Sequence, residues 1–157
     1  MTATWTIISG GQTGVDRAAL DVARERGLPY GGFIPKGRRT EDGTLPDEYV
    51  GMTETESSIF AVRTRENVAC ADATLILARG PPDGGTLLAR LTAQAKEKPL
   101  LVLDLLEVDH DEAAQRTLAW LRGLPAGSLN VAGPRDSRQP GIYGEARALL
   151  EKVLGAL

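Results

Sequence analysis

The residues able to do chemistry in this chain are hydrogen-bond donors and cations gathered in glycine turns. Ser9-Gly10-Gly11-Gln12-Thr13-Gly14 follows a short apolar run and precedes a good helix former beginning at Val15. Glycine has no Cβ, so Gly10, Gly11 and Gly14 allow close backbone approach and positive φ. The helix behind the turn presents free N–H groups and a favourable dipole to an anion. Gln12 and Thr13 add side-chain hydrogen bonds. Arg17 stands in the first helical turn, where a cation opposes the dipole at a cost of about 0.3–1 kcal/mol. An anionic ligand would offset that cost, as would a side chain swung out to Asp16 or Asp21.

A second turn of this kind is Asp83-Gly84-Gly85-Thr86, with Thr86 the expected N-cap of the next helix. Lys36, Arg38 and Arg39 follow the second strand, and Arg135 follows Gly133-Pro134 after the last one. Arg63 and Asn67 are four apart on one predicted helix, so both can face one pocket. Arg65 and Glu66 read as solvated charges.

Two familiar nucleotide turns do not fit. A P-loop requires G-x-x-x-x-G-K-[ST], and no lysine follows the first turn. A dinucleotide fingerprint requires G-x-G-x-x-G and a ribose-binding acid about 20 residues on. Here Ser9 takes the place of the first glycine, and the second strand ends in Ile34-Pro35-Lys36-Gly37-Arg38-Arg39. NAD is therefore not expected, and a phosphate-bearing small molecule is.

The elements that must position these residues alternate. Strands are predicted at Trp5–Ser9 and Leu28–Ile34, with a short extended piece near Val50–Thr53, and at "ATLILA", "LLVLDL" and "SLNVAG". Helices are predicted at Val15–Arg26, Ser57–Ala71, Thr86–Lys96, Asp109–Leu121 (capped by Asp109 or Asp111) and Tyr143–Leu154. "PKGRRTEDGTLPDEY" reads as a long polar loop, of the kind that is often functional. Strands apolar throughout, alternating with helices, predict an α/β fold: a doubly wound, mostly parallel Rossmann-like sheet with helices on both faces. In such a sheet "GGQTG", "PKGRRTEDG", "RGPPDGG" and "GPRDSRQPG" all lie at the carboxyl edge, where open α/β sheets bind ligands. The connections at the other edge are terse.

Composition sets the outer bounds. The 157 residues are expected to form a single domain spanning 1–157. A formal net charge of -3 argues against binding nucleic acid by bulk charge. One cysteine, Cys70, allows no intramolecular disulfide and no cysteine-based zinc cluster, and the single histidine, His110, has no partner for a metal site. Cys70 stands among alanines and is expected to be buried as a small hydrophobe. Neither a signal-type leader nor an apolar run near membrane-spanning length is present, so a soluble, cytoplasmic protein with no membrane partner is expected.

Taken in order, "SGGQTGVDRAALDVA", "GGFIPKGRRTEDG", "RTRENVACADATLIL", "GGT" and "LNVAGPRDSRQPGIY" resemble the molybdenum carrier protein family over nearly the whole chain. That family is similar in turn to the lysine-decarboxylase-like phosphoribohydrolases and to the Rossmann domain of the DNA-processing protein A. The resemblance implies a Rossmann-like fold, a homo-oligomer, and binding of molybdenum cofactor (molybdopterin), a pterin bearing a phosphate, for storage or for transfer to molybdoenzymes. The phosphoribohydrolases carry R-K, an Asp opening a strand, then P-G-G-x-G-T-x-x-E, with the Arg and Glu acting on an N-glycosidic bond. Here Arg63 keeps its spacing to Asp72 and Gly85-Thr86 match, but Ala89 stands where the Glu would be. Lacking the group that activates water, worth about 10²–10⁴-fold, a non-catalytic binder is expected, with Asp16 and Asp72 the remaining carboxylates. The expected ligand set is Gly10, Gly11, Gln12, Thr13, Gly14, Arg17, Lys36, Arg38, Arg63, Asn67, Gly84, Gly85, Thr86 and Arg135, with no catalytic residue and no protein ligand to metal. Arg63 is expected to clamp the anion with little influence on stability. The alternatives are a phosphoribohydrolase-like enzyme acting on a nucleoside monophosphate and a nucleotide-sensing accessory protein.

Overall fold

The computed structural model describes residues 4–157. In chain order the elements are β1 (Thr6–Ile8), α1 (Val15–Glu25), β2 (Tyr30–Gly31), β3 (Phe33–Ile34), β4 (Arg39–Thr40), β5 (Gly43–Thr44), β6 (Thr53–Glu54), α2 (Phe60–Cys70), β7 (Ala73–Ala78), α3 (Gly84–Ala95), β8 (Leu100–Asp104), α4 (His110–Arg122), β9 (Ser128–Ala132) and α5 (Ile142–Gly155). The main sheet has five strands in the order β2-β1-β9-β7-β8, all parallel. Helices cover both faces, as expected of a doubly wound Rossmann-like α/β fold.

Side-chain alternation along β7 shows how the layers form. Ala73, Leu75 and Leu77 point into the larger core with Ile7, Val15, Leu129, Val131, Ile142 and Leu149. This core lies under α1, α4 and α5, with α5 packed between the other two. Ile76 points the other way, into a smaller core with Val68 of α2 and Ala89 and Ala93 of α3. Every residue of β7 is buried, whereas β8, paired only with β7 at the sheet edge, buries Leu103 fully and the rest in part.

Three expectations are corrected. The second strand is not continuous. Gly32 takes φ +130°, and a Cβ there would lie 2.3 Å from the Ser9 carbonyl oxygen. The chain therefore bends: β2 stays in the main sheet, and β3 leaves it to pair with β6. The third helix starts ahead of Thr86. Leu87 N–H bonds to the Asp83 carbonyl (3.0 Å), which makes Asp83 the N-cap and puts Thr86 inside the first turn, buried. Cys70 is exposed at the last residue of α2, where the chain turns out to Asp72. Asp109, in contrast, caps α4 as expected, accepting from Glu112 N–H at 2.8 Å.

Candidate ligand site at the carboxyl edge

A cavity of about 310 Å³ opens at the carboxyl edge of the sheet, between the loops after β1, β7 and β9 and the start of α2. Of the expected ligand residues it is lined by Gln12, Arg63, Gly84, Gly85, Thr86 and Arg135. Its apolar wall comes from Phe60, Ala61, Leu88 and Pro134. Asp16, Asp83 and Arg138 also line it, and the sequence did not place Arg138 in the set. Arg138 reaches across the mouth to Asp83 (2.6 Å), linking the β9–α5 and β7–α3 loops. Only its place in "GPRDSRQPG", three residues past Arg135, could have pointed to it.

The start of α3 is open. Asp83 occupies the N-cap position but makes no capping hydrogen bond, because its carboxylate is turned to Arg138. Nothing stands within 4 Å of where a Cβ would project from Gly84 or Gly85. The first N–H groups of this helix thus face the cavity without a side chain in the way. Arg135 is the second open feature: its side chain makes no hydrogen bond or salt bridge among the described residues.

Arg63 is bound into the protein as well as lining the cavity. It is 6 % exposed; Nη1 donates to the Gly10 carbonyl (2.5 Å), Nε to the Phe60 carbonyl (3.1 Å), and Asp16 Oδ2 lies 3.7 Å from Nη1. A Cβ on Gly10 would stand 2.6 Å from Arg63 Nη1, so Gly10 is the residue that admits the guanidinium. Arg63 therefore has structural partners in Gly10, Phe60 and Asp16 as well as a place on the cavity wall, where the sequence alone predicts only an anion clamp. Burial lowers its pKa, and Asp16 opposes that shift.

Asp16 is 8 % exposed. Burial pushes its carboxyl up to about 6, against the pull of Arg63, the Gln12 and Gly133 backbone N–H groups, and Arg17. The other carboxylate considered, Asp72, belongs to the opposite edge: it opens β7 and accepts from Ser128 N–H (2.8 Å) and the Ser128 hydroxyl (3.2 Å). Ala89 lies in the smaller core against Val68 and Ile76.

The remaining expected residues are not brought to the cavity wall. Arg38, with φ +57°, donates to the carbonyls of Leu45, Pro46 and Tyr49 and so organises its own loop. Asn67 clamps β3, donating to Phe33 O (2.9 Å) and accepting from Phe33 N–H (2.7 Å). Lys36 is exposed beyond β3. Arg17 donates to the Gly11 carbonyl and lies over the Tyr49 ring. Thr13 joins a hub behind the wall. Its hydroxyl donates to Glu41, and accepts from Asp136 N–H (3.1 Å). Burial works to raise the Glu41 pKa, but hydrogen bonds from Ser137 and Thr13, with Arg135 nearby, hold it below the ordinary glutamate value. Gly14 fits against Pro134, whose carbonyl would stand 2.3 Å from a Cβ there. The loop after β3 thus does reach this edge, through Glu41 and not through its cations.

Comparison with solved structures finds a crystal structure from Syntrophus aciditrophicus SB, described as a "Putative molybdenum carrier protein". It is 42 % identical to this chain, covers 97 % of it and 96 % of its own length, and superposes with a TM-score of 0.94. Comparison with curated proteins finds no match. The family model that matches residues 7–154 is that of the circularly permutated YpsA SLOG proteins, and the chain belongs to this family.

Proposed function

We propose that this protein is a carrier that binds a phosphate-bearing small molecule, of the molybdopterin type, in the carboxyl-edge cavity. The observation that carries the reading is the uncapped N-terminus of α3, with open Gly84 and Gly85, facing the same cavity as Arg63, Arg135 and Arg138. N–H groups at a helix start and guanidinium groups are the usual partners of a phosphate monoester. The molybdenum carrier name of the 42 % identical structure supports a molybdenum-related cargo. No group of His, Cys, Asp and Glu able to hold a metal ion occurs among the described residues. The protein residues that fit such a cofactor are accordingly those for its phosphate and ring.

Arg135 is the sharpest test, because its side chain makes no hydrogen bond or salt bridge among the described residues that a substitution would break. A charge-assisted hydrogen bond contributes about 1.5–3 kcal/mol, so Arg135→Ala is expected to weaken inorganic phosphate roughly 10- to 150-fold at unchanged melting temperature. Titration calorimetry reads the first quantity and a thermal melt the second. Absence of phosphate binding by the wild-type protein at millimolar concentration would overturn the reading. A mass spectrum of small molecules released from natively purified protein identifies the cargo directly.

A further inference from the structure

The cavity wall carries further polar side chains besides those at the start of α3. Gln12 is 6 % exposed and lines the cavity. Its Oε1 accepts two backbone N–H groups, from Glu41 (2.8 Å) and Thr13 (3.1 Å). Two donors on one atom fix that atom as the oxygen, so the amide cannot be flipped. Its Nε2 therefore carries two N–H donors that find no acceptor among the described residues, and the atom is not sealed from solvent.

Asp16 lines the same cavity, and its carboxylate faces Arg63, with Oδ2 3.7 Å from Nη1. A carboxylate has about four lone-pair positions. Arg63 stands 3.7 Å from one of its oxygens, which leaves acceptor positions open. An unbonded amide donor and a carboxylate acceptor share the cavity with the apolar surfaces of Phe60 and Leu88, so the recess is half-apolar.

We propose that Gln12 and Asp16 read the edge of a heteroaromatic ring on which an N–H donor stands beside an acceptor, as purines and pterins present. Gln12 Nε2 donates to the ring acceptor and Asp16 accepts from the ring N–H. This rests on the reading of the start of α3 as the phosphate site, and it adds the residues that select the ring.

The test is calorimetry at neutral to mildly alkaline pH with four probes: guanosine, 1-methylguanosine, ribose 5-phosphate and inorganic phosphate. Guanosine is expected to bind, and 1-methylguanosine, with the ring N–H replaced, at least about tenfold more weakly. Gln12→Glu keeps an oxygen for the Thr13 and Glu41 N–H groups and turns the cavity donor into an acceptor. It is expected to weaken guanosine roughly 10- to 100-fold, with the melt reporting whether the fold is kept. Equal affinity for guanosine and its methylated form in the wild-type protein overturns the inference whatever the variant does. Binding of ribose 5-phosphate with none of guanosine also overturns it, and assigns these residues to a sugar while leaving the phosphate reading intact. Guanosine binding without phosphate binding keeps the ring site and removes the carrier reading.

Discussion

Asp16 is the residue on which the site and the fold compete. It sits in the first turn of α1, buried, with Arg63 as its ion-pair partner. Breaking a buried pair from one side leaves a costly uncompensated charge, yet this pair is imperfect: burial outweighs Arg63 and lifts the Asp16 carboxyl from 3.8 to about 6. The sign follows from linkage. Between those two values the folded protein holds a proton that the unfolded chain has released, so stability falls as pH rises. The contribution of neutral Asp16 is fully present below about pH 4 and is lost as pH climbs through about 6. Asp16→Asn cannot titrate. Urea unfolding across this window is expected to show the wild type losing stability relative to the variant, by an amount on the order of 3 kcal/mol. Parallel profiles would mean that Asp16 is charged throughout. Residue identity made much of this neighbourhood legible: glycine at position 10 marks a close approach, and Arg63 was placed at the site by its spacing to Asp72. What approaches Gly10 could not be read, because Arg63 lies 53 residues away in sequence. Glu41 was missed for the same reason. Its partners Thr13 and Ser137 come from loops that only the folded sheet brings together.

At the scale of elements, the segment from Arg38 to Tyr49 behaves as a strap with its own small frame. The sequence read it as a long polar loop. Its strands β4 and β5 have two residues each, paired Arg39 with Thr44 and Thr40 with Gly43, too short to leave any hydrophobic period. Leu45 and Tyr49 anchor it in a separate cluster with Leu20 and Ile34, and the Tyr49 hydroxyl donates to Asp21 (2.6 Å). Arg38 closes the frame by spending three donors on the carbonyls of Leu45, Pro46 and Tyr49. A guanidinium that satisfies backbone acceptors in this way is a structural residue, although its sequence context, next to Lys36 and Arg39, resembles an anion site. Arg38→Ala is expected to destabilise the protein by about 1–3 kcal/mol and to speed amide exchange in the strap while β7 and β9 stay protected. Hydrogen-exchange mass spectrometry separates the two regions. Uniform loss of protection would show that the strap is part of the cooperative core and not a frame added to it.

For the molecule as a whole, strand order explains where the cavity lies. Counting the five strands of the main sheet from β9, and continuing through β1, turns β2-β1-β9-β7-β8 into 3-2-1-4-5, the first five positions of the classical Rossmann order 3-2-1-4-5-6. The chain is that fold with its first strand moved to the end, in keeping with the permuted family to which it belongs. The switch point between strands 1 and 4 then falls between β9 and β7, and the loops after these two strands supply Pro134, Arg135, Gly84 and Thr86 to the cavity. The sequence predicted the element types and the ligand edge, because apolar strands and glycine turns are local signals. It could not predict that its final strand is central, since "SLNVAG" carries no mark of its neighbours. If packing and not chain order decides the fold, the rotation can be undone. The α4–β9 connection is exposed at Pro125 and Ala126 and can take new ends. Thr6 and Ala156 lie at one edge of the sheet: Thr6 N–H bonds to Gly127 O there, and Arg122 reaches the Ala156 carbonyl at the close of α5. A variant opened at Pro125–Ala126, with a Gly/Ser linker from Leu157 to Met1, is expected to keep the native circular dichroism and to bind phosphate within a few fold of the parent. Its stability should fall by only about 1–3 kcal/mol, the usual scale of a single disturbance to a domain. A soluble but molten product with several linker lengths would show that the order in which strands meet during folding, and not only their final contacts, is required to form the cavity.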